Sequence, residues 1–350
     1  MTAPAVTTAT PAWQGVGREL LRWLGALAGA VVVFSFFLLV KGHNPVSVLA
    51  TAVTSTFSNG LSLQQVAIKA APFVLSALAV VVPARAGLVN VGGEGQIIVG
   101  AVAAAGVGMA VGDTLPGIAT VVLMALGAAV GGAAWAGIAA VLRLTVKVNE
   151  AVSTLLLNYI AIDLLLYLIY QPWKDMHGSG QPASRPLAEA AWLPVIPGTA
   201  VHFGVVIALL AAVAVWWVMR YTTWGFALRV VGGNAKAALR AGLPVPRLLL
   251  SAMLVGGALA GLAGMVHFAG VEYKLKSGIT SNFGYVGFLA SWLAMHRPLA
   301  VTGAAVLMAA ITVAGDSLQI DSGLPAATVN VFTGLALFAV LGWAHKRTQS

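Results

Sequence analysis

The run Trp23–Val40 passes eighteen residues without a charge. Nine more apolar stretches follow it, near 66–83, 96–112, 118–142, 150–170, 201–219, 248–270, 284–296, 299–315 and 325–343. A spanning helix needs about 20 mostly apolar residues. Backbone in lipid satisfies its own N–H and C=O groups only as helix or as closed barrel. These runs are long, rich in Ala, Gly and Leu, and lack alternation, so the pattern is helical. Only 8% of residues are charged, against about 25% in soluble domains. The expected fold is an all-α membrane protein with about ten transmembrane helices. A cleavable signal peptide competes for residues 23–40, but the run is long for a signal core, and we read it as a first span. The stretch 284–296 is short and interrupted by Arg297-Pro298, which points to a half-helix.

The basic residues set an orientation. With the N-terminus inside and ten crossings, thirteen Lys and Arg fall inside, five fall outside, and Lys69 lies near an outer helix end. That bias follows the positive-inside rule and puts both termini in the cytoplasm. It also accounts for the net charge of +9 without a nucleic-acid partner. Residues 1–22 then form a cytoplasmic tail, 23–345 a transmembrane domain, and 171–200 a Pro- and Gly-rich outer loop. The chain has no cysteine, so disulfides and thiolate metal sites are excluded.

The one long inner loop, 220–247, carries five basic residues and no acid. Asn234 is suited to cap a short helix, "AKAALRAGL". Gly232 and Gly233 permit a turn before it, and Pro244 and Pro246 end it. An ordinary positive-inside loop would share this composition. The sharper reading is a rigid docking helix for a cytoplasmic partner.

No G-x-x-x-x-G-K-[ST], H-E-x-x-H or G-x-S-x-G motif is present, so the chain has no P-loop, zincin or hydrolase signature. If ATP drives this protein, another chain hydrolyses it. The six histidines stand singly, without metal-ligand spacing.

Polar groups at membrane depth are functional candidates by default. "GLVNVGGEGQ" at 87–96 places Asn90, Glu94 and Gln96 on a segment too glycine-rich for continuous helix. Broken backbone at that depth is buried in protein or lines a cavity, as at transporter sites. Glu94 is also placed to cap or brace the N-terminus of the helix that follows it, whose dipole favours an anion. Asn149, Glu150, Ser153, Thr154, Asn158 and Asp163 follow along one span, and 150, 154 and 158 share a helix face. Glu150 has a simpler reading as a solvated partner of Lys147. Tyr285, Trp292 and His296 form a third cluster. Gly127-x-x-x-Gly131 and Gly257-x-x-x-Gly261 read as close helix contacts.

Three of these segments together carry a resemblance. "GLVNVGGEGQIIVGA" at 87–101, "NEAVSTLLLNYIA" at 149–161 and "GGNAKAALRAGL" at 232–243 resemble, in order, signatures of bacterial ABC-importer permeases for nucleosides and simple sugars. The match runs from about 20 to 345 and is strongest to nucleoside-uptake permeases. It implies a type II-like importer permease with broken or half helices, in the bacterial cytoplasmic membrane. It implies three protein partners: a cytoplasmic ATPase holding ATP and Mg, a second and non-identical permease, and an extracellular binding lipoprotein. Carried over by motif, the substrate pathway would include Asn90, Glu94, Gln96, Asn149, Glu150 and Asn158, with Trp292 reshaping it. The ATPase would couple through Arg229, Gly233, Asn234, Lys236 and Arg240. A pentose or amino-acid importer is the alternative within the class. A proton- or sodium-coupled transporter using Asp163 and Glu94, or an intramembrane enzyme using Glu94 or His267, lies outside it.

Overall fold

A computed structural model describes residues 28–322, apart from 30, 179 and 281, together with 331, 334 and 335. Its helices are α1 (Val31–Val40), α2 (Pro45–Phe57), α3 (Gly60–Arg85), α4 (Gly93–Val111), α5 (Gly117–Thr145), α6 (Glu150–Tyr170), α7 (Gly204–Tyr221), α8 (Thr223–Gly233), α9 (Ala235–Arg240), α10 (Val245–His267), α11 (Phe283–Leu293) and α12 (Pro298–Ser322). Seven are long and apolar enough to cross a membrane, with α10 continuing through a π-helical turn to Glu272. The pair α1 and α2, bent by 119°, makes an eighth if it counts as one broken span. The run 284–296 forms only the short α11, about 16 Å long at 1.5 Å per residue. The run 325–343 and the tail 1–22 lie outside the described residues.

The chain divides into two compact units. In the unit Met1–Ser55 with Ala314–Ser350, Phe34, Leu38, Val48, Ala52 and Leu318 form a buried cluster. The unit Thr56–Val313 holds the rest. Its central helix is α3, buried at every position from Ala70 to Pro83. A helix apolar all round is one that has neighbours all round. By contrast only 22%, 33% and 28% of the most apolar stretches of α5, α6 and α7 are buried.

Small residues let these helices meet backbone to backbone. Gly127 and Gly131 face Val107 and Ala103 of α4, while Gly257 and Gly261 face Gly132 and Ala128 of α5. A Cβ on Gly261 would overlap the Ala128 carbonyl oxygen.

One end of this unit is covered by 171–202, which is irregular apart from a single 3₁₀ turn, Glu189–Ala191. Leu187 N–H donates to Tyr273 O (2.7 Å), Leu193 N–H to Ala269 O (2.9 Å), and Trp192 stacks on Tyr273 at 4.1 Å. His202 is buried there. Its Nδ1 accepts from Gly204 N–H at 3.1 Å, while Nε2 has no partner among the described residues. Burial, then the charge of His267, pushes His202 down to about 4 from 6.5. The unfolded chain therefore takes up this proton first. Stability is full above about pH 6.5 and is lost as pH falls toward 4. Between pH 7 and 5 the loss from His202 is about 2 kcal/mol. His296, pushed down to about 4 by burial and by Arg85, acts in the same direction. Thermal unfolding in detergent at the two pH values checks this; a flat melting temperature would contradict it.

The opposite end gathers basic residues. Arg85, Arg220, Arg229 and Arg297 surround a cavity of about 530 Å³. Here the loop 220–247 differs from its sequence reading. Gly232 and Gly233 do not make the turn; they end α8, and Gly232 packs on the Arg85 carbonyl. The turn is at Asn234, whose side chain accepts from Ala237 N–H at 3.0 Å and caps α9. Gly242, at φ +83°, follows the end of α9. Pro246 does not terminate that helix but lies in the first turn of α10, where a missing N–H costs nothing.

Candidate functional site

The segment 86–92 leaves α3 and folds back alongside it. Gly87, at φ +78°, makes the reversal. Leu88 is buried against Ala136, Ala139, Ala140 and Met253. Asn90 then reaches back to the Ala79 carbonyl at 3.5 Å, about 9 Å down the α3 axis from Arg85. The broken backbone thus lies below the helix end, where unpaired amides are costly.

The inward face of α6 supplies the partners. Glu150 Oε1 accepts from Val89 N–H at 3.1 Å, Thr154 Oγ1 from Val91 N–H at 3.2 Å, and Asn158 Oδ1 from Gly95 N–H at 2.8 Å. Three side chains at four-residue spacing staple three amides, two in the non-helical segment 86–92 and one in the first turn of α4. Asn158 Nδ2 also donates to Val91 O at 3.1 Å and approaches Tyr285 Oη at 3.4 Å. Asn90 and Gln96 close on each other through two amide hydrogen bonds of 3.0 and 2.9 Å, and Asn90 Oδ1 accepts from Gly92 N–H. All of Asn90, Gln96, Thr154 and Asn158 are within 1% of complete burial.

Glu94 is the second fastener. Its carboxylate accepts from Gly284 N–H at 2.7 Å in the first turn of α11, and from the Thr280 hydroxyl. Ser76 of α3 donates to Phe283 O at 3.0 Å, and the Phe283 ring meets Phe73 edge-on at 5.1 Å. The N-terminus of α11 therefore starts beside the middle of α3, held by the Glu94 carboxyl oxygens at the positive end of its dipole. Its far end returns to Arg85, whose Nε donates to His296 O at 3.0 Å. Met295 and His296 turn the chain into α12 with φ of 51° and 54°, a conformation that side-chain-bearing residues rarely adopt. Trp292, 39% exposed, lines a cavity of about 190 Å³ with Gly87, Val89 and His296.

Asn90, Glu94, Gln96, Glu150, Asn158 and Trp292 thus converge around the folded-back segment. The buried polar groups among them bond to one another, to backbone and to Arg143, Thr280 and Tyr285 rather than presenting free donors to an open route. Asn149 stands apart. It is exposed and caps α6, accepting from Ala151 N–H at 2.8 Å. Glu150 pairs with Arg143, not Lys147, which turns instead to the Leu144 carbonyl. Helical spacing could not show that pair, because the chain breaks between α5 and α6. Thr280, Gly284 and Ser76 are further members of the site; nothing in their local sequence marks them. Of the coupling residues, Arg229, Gly233, Asn234, Lys236 and Arg240 are all exposed at the basic end, with Arg229 also bonded to Met219 O.

Comparison with known proteins agrees with this architecture. A family model described as branched-chain amino acid transport system / permease component matches residues 62–341. A glucose ABC transporter permease of Haloferax volcanii is 35% identical, over 96% of this chain and 90% of its own. A guanosine ABC transporter permease of Bacillus subtilis is 31% identical, over 91% and 90%. A nucleoside ABC transporter permease of Lactococcus lactis subsp. cremoris is 27% identical, over 90% and 87%. The match spans both the stapled segment and the capped basic helix, and on that ground the chain belongs to the permease components of the branched-chain amino acid transport family, as a multi-pass membrane subunit of an ABC transporter.

Proposed function

We propose that the chain forms half of a solute route in an ATP-driven importer, working on a nucleoside or a related sugar-like solute. The substrate class rests on the glucose, guanosine and nucleoside permeases it resembles. The observation that carries the mechanism is α9. It is a capped six-residue helix, exposed and basic, held between α8 and α10 at the arginine-rich end. Trp224 of α8 is tied to Ser251 of α10 at 2.9 Å, so a force on α9 reaches a spanning helix. A partner ATPase, which would hold ATP and Mg, docks on it from the cytoplasm. Both chain termini lie on that side. A second, non-identical permease completes the route, and an extracellular binding lipoprotein delivers solute to the 171–200 end. In this reading Asn90, Gln96, Glu94, Glu150 and Asn158 shape the wall of the route by fixing the segment 87–96 and α11, and Trp292 narrows it.

The test is a mild-detergent pull-down from native membranes with mass spectrometry. An ATPase, a second permease and a binding lipoprotein are expected with the chain. A chain that repeatedly purifies alone would overturn the importer reading in favour of a secondary transporter.

A further inference from the structure

Helix α6 has two polar faces, and among the described residues only one of them makes hydrogen bonds within the chain. Glu150, Thr154 and Asn158 look inward and staple the segment 87–95. Tyr159, Asp163, Tyr167 and Tyr170 are exposed. Their spacing of four, four and three residues puts them on one stripe, within about 80° of arc at 100° per residue. The same side nearer the α6 N-terminus is apolar, with Val152, Leu155 and Leu156 exposed. Asp163 is fourteenth of the 21 residues in this span, so it lies about 20 Å along the helix. A carboxylate at that depth is too costly to face lipid; such groups face protein or water. Tyr167 and Tyr170 alone could be interfacial anchors, but Tyr159 and Asp163 lie too deep for that.

We propose that this stripe is a solute-contacting wall of the route, taking a polyhydroxylated ring such as a nucleoside or sugar. Tyrosine rings offer flat apolar faces for a base or the C–H face of a sugar. The Asp163 carboxylate accepts from ring hydroxyls, and the tyrosine hydroxyls add donors. The apolar part of the face, toward the basic end, offers no polar hold, so the solute rests in the half nearer residues 171–200. This inference rests on the importer reading and deepens it, and its test separates the two.

The chain has no cysteine, so single thiols can be placed without background from it. Tyr159→Cys, Asp163→Cys and Tyr167→Cys, each in the full chain within its native complex, are treated with a charged, water-soluble methanethiosulfonate and read by mass spectrometry of this chain. Leu126→Cys, on the exposed apolar side of α5, is the control. Only a hydrated thiol ionises and reacts, so the three α6 positions are expected to react about tenfold faster or more than the control. Uptake of guanosine and of glucose is measured in parallel. Asp163→Leu is expected to raise KM for the transported one about tenfold, with the partners still co-purifying. Tyr159→Phe should retain uptake where Tyr159→Leu loses it. Unreactive α6 thiols in an intact complex, or unchanged uptake kinetics in Asp163→Leu, would overturn the inference and leave the importer reading standing. A chain without partners would overturn the importer reading, while the labelling would still report whether α6 faces water.

Discussion

Asn158→Leu is expected to cost about 4 kcal/mol of stability and to abolish uptake. The substitution is near in volume, so the loss comes from bonds rather than packing. Asn158 holds both the first turn of α4, through Gly95 N–H at 2.8 Å, and the folded-back segment, through Val91 O at 3.1 Å. Leucine leaves the buried Gly95 amide and the half-buried Val91 carbonyl without these partners, at about 1–3 kcal/mol each. Water cannot replace them, because the site is closed by Thr154, Gln96 and Glu94, all buried. The damage then spreads, since Gly95 lies beside Glu94, and Glu94 holds the start of α11. Tyr285→Phe is the contrast. It removes only a long contact of 3.4 Å and is expected to cost less than about 1 kcal/mol. Denaturation in micelles, paired with uptake in vesicles, reads both. An Asn158→Leu protein as stable as the wild type would show that the staple does not hold the segment.

The second large effect lies at the other level of the mechanism. Reversing Lys236 and Arg240 to glutamate is expected to reduce ATP-dependent uptake more than tenfold while leaving stability within about 0.5 kcal/mol. Both side chains are exposed, and α9 is anchored instead by buried Ala238 and by the Asn234 cap. Four charge units change on a surface proposed to meet the ATPase, and like-charge contact across an interface costs several kcal/mol. Asn234→Pro tests the same helix by geometry. The native φ of −158° is closed to proline, and the cap, worth about 1 kcal/mol, is lost with it. Retained ATPase in the pull-down together with normal uptake, in either variant, would end the docking-helix proposal.

Much of this was legible from residues alone. Seven of the ten apolar runs became spanning helices at nearly the expected positions, because lipid leaves backbone no other partners; the run 23–40 gives only α1 of a bent pair among the described residues. Asn234 read correctly as a cap, since a cap is a three-residue event. Glu94 was legible as a brace, but the helix it braces is α11, nearly 190 positions away in the chain. The glycines 232 and 233 misled, because permission to turn is not a requirement to turn; both end α8, and Gly232 supplies close packing on Arg85. Spacing put Glu150, Thr154 and Asn158 on one face of α6, yet periodicity has no means of saying what a face looks at.

The sequence by itself determined where the chain must be helical, where it must break and which polar residues share a face, because these follow from local backbone chemistry. Only the tertiary structure decided which amides those residues satisfy, that Glu150 meets Arg143 across a break, and which polar face of α6 turns outward. The Arg143–Glu150 pair is seven residues apart across a break that periodicity does not carry through, and the staples and the Glu94 brace join groups about sixty to 190 residues apart, brought together by helix packing.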